Sequence, residues 1–119
     1  MAWDVEFTEE FEIWWNNLSE EEQASVDAKI RLLMEFGPAL GRPQADTLAM
    51  MSKHPNLKEL RIQHSGDAYR VLFAFNPRRV AILLLGGRKP DQKWYQDAVP
   101  KADKLYDEHL GELRKEEML

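Results

Sequence analysis

Apolar and acidic residues alternate at the start of the chain, and the spacing between apolar residues then lengthens. Trp3, Val5 and Phe7 are separated by single acidic residues, a period of two that is typical of a half-buried strand. The apolar residues that follow are spaced by three and four positions, which predicts a short helix with a wide aromatic stripe. This stripe consists of Phe11, Trp14, Trp15 and Leu18. A strand followed by a short helix is therefore expected at the N-terminus.

Polar residues and a glycine mark the ends of the first two helices. Thr8 precedes two glutamates and is a good N-cap for the first helix. Ser19 and Glu22 have the spacing of a capping box, which predicts that a second helix begins directly after Ser19. Gly37 and Pro38 then end this helix. The two helices are expected to form an antiparallel pair.

The middle of the chain changes to a β pattern. Residues 37–56 contain Gly-Pro, Arg-Pro and His-Pro pairs, which predict a loop with at most a short strand or turn. Beyond this loop, two turn signals, Ser65-Gly66 and residues 76–79, separate runs of apolar residues. The three predicted strands cover residues 57–64, 67–75 and 80–85. The third is apolar on both faces and is therefore expected at the centre of a sheet.

A last helix completes the predicted fold. Residues 94–113 carry apolar side chains at helical spacing, and Pro100 is expected to break or start this helix. The element order is thus β-α-α-β-β-β-α, an α+β fold with a small, mainly antiparallel sheet. The two N-terminal helices are expected to pack on one face of the sheet. The length predicts one domain over residues 1–119.

Charge is distributed unevenly over the 119 residues, although the net charge is −5. Residues 1–41 carry 2 basic and 10 acidic side chains, whereas residues 42–93 carry 10 basic and 4 acidic ones. Residues 94–119 are acidic again, with 4 basic and 7 acidic side chains. The overall acidity argues against a non-specific nucleic-acid or membrane binder, but the basic middle permits local recognition of an anion.

Composition excludes several kinds of chemistry. The chain has no cysteine, which excludes disulfides, thiolate catalysis and cysteine-based metal sites. It also lacks the His-Glu-x-x-His, Walker and dinucleotide-binding patterns, so neither a metal nor a cofactor is predicted. Neither a signal peptide nor a membrane-spanning segment is recognisable in the sequence, so a cytoplasmic location without membrane contact is expected.

The turn positions predict which residues face each other in the sheet. With Ser65-Gly66 at the centre of the first turn, Arg61 lies opposite Arg70; with residues 77–78 at the centre of the second, Arg70 lies opposite Leu85. The face under the helices is predicted to hold Leu60, Ile62, Tyr69, Val71, Phe73, Phe75, Val80, Ile82 and Leu84. The other face is predicted to hold Arg61, Gln63, Arg70, Leu72, Ala74, Ala81, Leu83 and Leu85. Its apolar members need cover from the C-terminal helix or from a partner.

The pair of Arg61 and Arg70 is the first candidate for chemistry, because like charges that face each other on a sheet repel. One interpretation is that an anion such as phosphate bridges the two guanidinium groups. The alternative is that the arginines reach apart into water or pair with an acidic side chain, such as Glu59 or Asp67. The pair by itself favours neither interpretation, and the other residues at the same end of the sheet decide between them.

Further polar residues are expected at the same end of the sheet. Arg88 and Lys89 follow the third strand, and Tyr95 lies at the start of the last helix. Cations around a basin beside an aromatic ring suit a single-stranded nucleic acid, because its phosphates are neutralised and its bases stack. Gln63 and His64 are candidate substrate-binding residues. His64 is also a possible acid or base, although histidine is common near turns.

Several segments, taken in order, resemble one protein family. They are residues 3–11 (WDVEFTEEF), 37–43 (GPALGRP), 57–61 (LKELR), 69–75 (YRVLFAF), 85–89 (LGGRK) and 103–108 (DKLYDE). Each motif is short, but the ordered set covers nearly the whole chain. The set resembles the HigB-type, phage Gp49-like branch of the RelE/ParE toxin superfamily.

This resemblance implies a toxin that enters the ribosomal A site and cuts mRNA there. It also implies a helix-turn-helix antitoxin that silences the toxin, and through which alone the toxin would contact operator DNA. In that family's reaction, the ribose 2′-OH attacks the adjacent phosphate and leaves a 2′,3′-cyclic phosphate and a 5′-OH. By resemblance, Arg70 clamps the scissile phosphate and Arg61 makes a second phosphate contact. Lys89 or Arg88 supplies the cation after the last strand, and Tyr95 stacks on a base or handles a proton.

Two alternatives belong to other functional classes. A ParE-like toxin would inhibit DNA gyrase by binding it, and a phage-derived relative would be inactive and bind only an antitoxin. The set of cations with Tyr95 favours the nuclease, because a protein-binding toxin does not need it. If the nuclease assignment holds, the acidic helices are expected to face away from ribosomal RNA, which would repel them.

Overall fold

The helices and strands follow the predicted order, with one short strand in addition. The structure, a computed structural model, describes residues 2–117. The strands cover Asp4–Phe7 (β1), Ala45–Thr47 (β2), Leu57–His64 (β3), Asp67–Phe75 (β4) and Val80–Arg88 (β5). The α-helices cover Glu9–Asn16 (α1), Glu20–Phe36 (α2) and Gln92–Glu117 (α3), and a 3₁₀ turn covers Gly37–Ala39. β2 is the short strand that the predicted loop allowed for.

The polar signals start the first two helices as predicted. The Thr8 hydroxyl accepts a hydrogen bond from the Phe11 amide at 3.0 Å. Ser19 Oγ accepts from the Glu22 amide at 3.1 Å, and Glu22 Oε1 accepts from the Ser19 amide at 2.8 Å. These three hydrogen bonds satisfy amides at the helix starts that have no partner within the helix. α2 ends at Phe36, and the next residue, Gly37, caps it with a φ of +55°, which favours glycine.

The five strands form one mixed sheet in the order β1-β5-β4-β3-β2. β1 is parallel to β5, and the other neighbouring strands are antiparallel. The α1/α2 face holds a buried cluster that includes Phe11, Val26, Leu33, Leu60, Ile62, Tyr69, Val71, Phe73, Ala81 and Leu83. The α3 face holds a second cluster that includes Leu57, Leu72, Ala74, Ile82, Leu84, Leu85, Val99, Ala102, Leu105 and Tyr106. The sheet is therefore the middle of three layers, with apolar contacts on both sides.

The first hairpin has the predicted register and the second does not. Arg61 lies opposite Arg70, as predicted from the two-residue turn. Arg70 lies opposite Gly87 and not Leu85, however, so the predicted pairing between β4 and β5 is wrong. Leu85 instead lies opposite Leu72. α3 covers both leucines, which confirms the expectation that the apolar residues of this face need cover.

Two local features explain the wrong register. Four residues, 76–79, lie between β4 and β5. The Asn76 amide donates to the Val80 carbonyl at 2.9 Å, so three residues close the turn and the last, Arg79, is left-handed at φ +63°, where a two-residue centre was assumed. A further shift of register follows between Leu72 and Phe73. A shift of one residue turns a side chain to the opposite face. The residues that lie on the face opposite to the predicted one are Ala81, Ile82, Leu83 and Leu84.

The last helix is longer than predicted. α3 begins before residue 94 and continues through Pro100, so the prediction that Pro100 breaks or starts it is wrong. Pro100 is exposed, and the buried neighbours Val99 and Ala102 anchor the helix on both sides of it. This packing offsets the hydrogen bond that proline cannot donate. None of the helices between residues 2 and 117 combines the length and apolar character needed to cross a membrane.

Candidate functional site

Two arginines of the sheet share one buried carboxylate. Arg61 and Arg70 face each other on the α3 side, and Glu59 precedes Arg61 by two residues on the same face. Glu59 Oε2 accepts a hydrogen bond from Arg61 Nε at 2.9 Å, and Glu59 Oε1 lies 3.8 Å from Arg70 Nε. Glu59 is only 4% exposed. The carboxylate therefore offsets the repulsion between the arginines, as one of the two interpretations of the sequence held.

The first turn of α3 brings Tyr95 to the same carboxylate. The Tyr95 hydroxyl donates to Glu59 Oε1 at 2.6 Å and accepts from Arg70 Nε at 3.1 Å. Burial of the phenol and its hydrogen bond to Glu59 raise the pKa of Tyr95 to about 12. The phenol is therefore protonated at neutral pH and can donate a hydrogen bond. We call Glu59, Arg61, Arg70 and Tyr95 the arginine–tyrosine site.

Close packing of α3 on β5 positions Tyr95. Gly87 lies opposite Arg70, and the Trp94 ring packs so closely on Gly87 that a Cβ at position 87 would collide with it. Asp91 Oδ1 accepts from the Trp94 amide at 2.8 Å at the start of the helix. Because Tyr95 follows Trp94 directly, glycine at position 87 permits the approach of the phenol to Arg70.

An open depression lies beside the arginine–tyrosine site. It has a volume of about 470 Å³ and is lined by Lys29, Pro43, Arg61, Gln63 and Arg70. The Arg61 side chain is 36% exposed and the Arg70 side chain 20%, so a ligand in the depression can reach both. Guanidinium groups match the oxygens of a phosphate in geometry and charge. The arrangement is therefore suited to an anionic ligand that contacts both arginines.

Arg88 and Lys89 do not join the two sheet arginines, so the expectation of a single basin is wrong for them. β5 continues through Arg88, which lies opposite Tyr69 and therefore points to the α1/α2 face. Its guanidinium carbon is 5.8 Å from the centre of the Tyr69 ring. Arg88 Nη2 is 2.7 Å from Asp67 Oδ2, and Lys89 Nζ is 3.9 Å from Asp67 Oδ1. Asp67 thus holds both cations at the β3–β4 hairpin.

Gln63 and His64 point to opposite faces because they are neighbours in a strand. Gln63 lines the depression with Arg61 and Arg70. His64 Nδ1 lies 2.8 Å from the Ser25 hydroxyl of α2, on the other side of the sheet. Of the predicted site residues, the structure brings together Arg61, Gln63, Arg70 and Tyr95, and it places Arg88, Lys89 and His64 apart from them.

A second polar cluster lies on the α1/α2 face. The Tyr69 hydroxyl donates to Glu22 Oε2 at 2.5 Å. Hydrogen bonds from the Ser19 amide and the Tyr69 hydroxyl lower the pKa of Glu22 to about 2. We call Glu22, Asp67, Tyr69 and Arg88 the α2 cluster. It ties the start of α2 to the β3–β4 hairpin and pairs its charged groups with one another.

Two residues of the site region were missed or undervalued from the sequence. Glu59 was considered only as an alternative partner of the arginines, yet it is an acid within an apolar strand and lies opposite Leu72. A buried acid needs a cation or hydrogen-bond donors, and this signal could have identified its role. Lys29 gave no such signal, because its place beside the depression depends on how α2 crosses the sheet.

Comparison with known proteins identifies the family. The family described as phage derived protein Gp49-like (DUF891) matches residues 13–107. This chain belongs to the Gp49-like family. The resemblance that the ordered motifs indicated is thereby confirmed.

Two relatives of this Gp49-like chain are HigB2 and HigB3 of Mycobacterium tuberculosis (strain ATCC 25618 / H37Rv), whose names describe them as toxins. HigB2 is 40% identical over 115 residues, which cover 94% of the chain and 56% of HigB2. HigB3 is 44% identical over 107 residues, which cover 84% of the chain and 91% of HigB3. The chain thus spans about half the length of HigB2 and most of HigB3. These relatives place it in the HigB-type branch.

Solved RelE structures are similar in fold. An E. coli RelE double mutant in the free state has a TM-score of 0.62 at 18% identity, over 85% of this chain and 98% of that chain. A chain of the intact E. coli RelBE toxin-antitoxin complex has a TM-score of 0.58 at 16% identity, over 76% and 100% of the two chains. A chain of the archaeal RelE-RelB complex from Pyrococcus horikoshii OT3 has a TM-score of 0.53 at 18% identity, over 78% and 99%. The Gp49-like chain therefore has the RelE-like α+β fold that was expected.

Proposed function

We propose that this HigB-type chain is the toxin of a toxin–antitoxin system and that it cleaves ribosome-bound mRNA in the cytoplasm. The observation that carries the proposal is the meeting of Arg61, Arg70 and Tyr95 beside an open depression. Two guanidinium groups neutralise a phosphodiester, and a protonated phenol can give it a hydrogen bond. The toxin names of HigB2 and HigB3 support the biological role.

The proposed reaction is an internal attack within the RNA backbone. The ribose 2′-oxygen attacks the adjacent phosphorus, the bond from phosphorus to the 5′-oxygen breaks, and the products are a 2′,3′-cyclic phosphate and a 5′-hydroxyl. Charge on the phosphoryl oxygens rises in the pentacoordinate transition state, which favours fixed cations. Arg70, held by the Tyr69 carbonyl at 3.0 Å and the Tyr95 hydroxyl at 3.1 Å, clamps the scissile phosphate. Arg61 makes the second contact.

The proposed protonation of the leaving group falls to Tyr95. With a pKa of about 12, the phenol keeps its proton until negative charge develops on the 5′-oxygen. Its O–H, which now donates to Glu59 Oε1 at 2.6 Å, turns to the 5′-oxygen when RNA binds and then donates the proton. An arginine cannot accept the proton of the 2′-OH, because its guanidinium already carries all its protons and has no acceptor. The ammonium of Lys89 cannot accept this proton either, so the proton passes to solvent. Lys89 is a candidate for a further phosphate contact, in which case its ammonium leaves Asp67, now 3.9 Å away, when RNA binds.

The placement of the acidic starts of α1 and α2 supports an orientation in which RNA approaches the other face of the sheet. The first turns of α1 and α2 are acidic, and both helices pack on the face opposite to the arginine–tyrosine site. RNA that enters the depression therefore meets the basic side of the sheet, with the acidic first turns of α1 and α2 turned away. The expectation that the acidic helices face away from RNA is wrong for α3, which carries Tyr95 and packs on the same face as the site.

We further propose an antitoxin with a helix-turn-helix domain as the partner that silences the toxin. Two of the structures with this fold are complexes of RelE with RelB. Contact with operator DNA would then be indirect, through the antitoxin.

Induction of the protein in cells, followed by primer extension on a reporter message, tests the proposal. We expect cleavage within translated codons and an arrest of protein synthesis, and we expect Arg70→Ala to lose both. Intact message together with broken DNA would instead support the gyrase-directed class, and intact message with intact DNA the inactive class.

A further inference from the structure

The depression extends beyond the groups that the proposed reaction uses. Lys29 of α2 and Pro43 of the loop before β2 also line it. β2 pairs with β3 only as far as Leu60, and the next backbone bond joins the Arg61 amide to the Gln44 carbonyl at 2.8 Å. Over residues 62–64, β3 is an open edge within the described part of the chain. α2 packs against β3 from the other face, so Lys29 borders the depression across this edge.

Lys29 differs from the neighbouring cations in its electrostatic surroundings. Arg61 forms ion pairs with Glu59 and Asp46, at 2.9 and 3.3 Å, and Arg42 pairs with the same Asp46 at 2.8 Å. Lys29 is half-buried and forms no ion pair with any residue between 2 and 117. Its compact ammonium on a flexible stem can therefore bind an anion without first losing a carboxylate.

We propose that Lys29 and Gln63 form a second phosphate subsite, which binds the nucleotide next to the scissile phosphate. This proposal rests on the proposed nuclease function and specifies its substrate as a single strand of RNA that spans at least two phosphates. Lys29 supplies the charge, and the Gln63 amide supplies a hydrogen-bond donor. The volume of about 470 Å³ lies within the range of roughly 300–1,000 Å³ for small-ligand sites, which suits one nucleotide of an unpaired strand.

Lys29→Gln and a matched control on the same helix test this subsite. Arg31 is two residues away in α2, has the same charge, is paired with Asp27 at 2.7 Å and does not line the depression. The probe is a fluorescein-labelled, single-stranded octanucleotide of RNA with 2′-deoxy substitutions, which cannot undergo attack by a 2′-OH. Fluorescence anisotropy gives its dissociation constant for the full chain over a series of salt concentrations.

We expect Lys29→Gln to weaken binding by about threefold to tenfold and to reduce the slope of log K against log salt by about 0.7, the value for one phosphate contact on a single strand. Lys29→Arg keeps the charge and restores most of the affinity. Arg31→Gln leaves the affinity and the slope unchanged. Unfolding midpoints of all variants check that the fold persists.

The outcomes separate this proposal from the nuclease proposal. If the wild type binds the octanucleotide but fails to cleave ribosome-bound message, the nuclease proposal fails, while the comparison of Lys29→Gln with Arg31→Gln still decides the subsite. Equal losses for these two variants, or no loss for either, overturn the subsite even when cleavage is confirmed. A wild type with no measurable affinity for the octanucleotide at low salt also overturns it.

Discussion

The two faces of the sheet each carry a polar cluster at the same end, built from the same residue types. On the α3 face, Tyr95 donates to the buried Glu59 at 2.6 Å. On the α1/α2 face, Tyr69 donates to Glu22 at 2.5 Å, and Arg88 lies near the Tyr69 ring. The arginine–tyrosine site borders an open depression, whereas the α2 cluster lies between a helix start and a hairpin.

This difference shows what separates a candidate ligand site from a structural tie. Glu59 is shared among Arg61, Arg70 and Tyr95, so one carboxylate orients three groups, and the two arginines line the open depression. Such prior orientation lowers the cost of binding and of charge stabilisation. Glu22 instead accepts hydrogen bonds from a helix amide and a tyrosine, so both of its oxygens are bonded within the fold.

The largest effect expected from this comparison is the loss of cleavage in Arg70→Ala. Removal of a charged group that stabilises a transition state typically costs about 100-fold to 1,000-fold in rate, so we expect at least a 100-fold fall. Arg88→Ala, on the other face, is expected to lose less than about tenfold, because its charge is committed to Asp67. Single-turnover cleavage of message on programmed ribosomes measures both, and equal losses would contradict the division between the faces.

The two tyrosines sharpen the comparison further. Tyr95→Phe removes the proposed proton donor and is expected to lower the rate by about 100-fold. It also removes a hydrogen bond to the buried Glu59, which is expected to lower the free energy of unfolding by about 1–3 kcal/mol. Tyr69→Phe is expected to retain most of the rate but to lower the free energy of unfolding by about 1 kcal/mol, since it loses its bond to Glu22. Cleavage rates and urea denaturation of the two variants give the pattern, and the reverse pattern would refute the assigned roles.

Gly87→Ala tests the packing that positions Tyr95. The added Cβ would collide with the Trp94 ring, and overpacking of this kind costs about 1–3 kcal/mol. We expect a lower unfolding midpoint together with a severalfold fall in cleavage, because the start of α3 must move. Gly111→Ala, also in α3, is the control, because a Cβ at position 111 meets nothing within 4 Å. This variant should leave the cleavage rate unchanged and raise the free energy of unfolding by up to about 1 kcal/mol.

The smallest effect is a pH dependence of stability from Glu22. Its pKa is about 2 in the folded protein and 4.5 ordinarily, so the folded state binds fewer protons between these values. The stabilisation is fully present above pH 4.5 and is lost as the pH falls towards 2. The gap in unfolding free energy between wild type and Glu22→Gln should therefore narrow from neutral pH to pH 3. A gap that stays constant in urea titrations would contradict the role given to Glu22.

Local signals in the sequence predicted the start of the fold well. The caps at Thr8 and Ser19 depend on neighbouring residues only, and both form as expected. The two-residue turn at Ser65-Gly66 fixes its own register, which placed Arg61 opposite Arg70 correctly. Such features need no knowledge of distant parts of the chain.

Features that depend on contacts between residues far apart in the chain were predicted less well. The left-handed Arg79 and the shift beyond Phe73 altered the register of β5, and no local pattern announced either. β5 also continues to Arg88 instead of ending at residue 85, and the alternation of side chains along it, together with Asp67, directs Arg88 away from Arg70. Lys29 enters the site region only through the packing of α2, which no strand or turn signal encodes.

The most direct test of the central claim is the chemistry of the cut ends. Purified protein is added to ribosomes programmed with a defined message, and the termini of the products are analysed. The account predicts one cut within the A-site codon, a 2′,3′-cyclic phosphate on the upstream fragment and a 5′-hydroxyl on the downstream fragment, all absent with Arg70→Ala. An uncut message, or fragments with 3′-hydroxyl and 5′-phosphate ends, would contradict it.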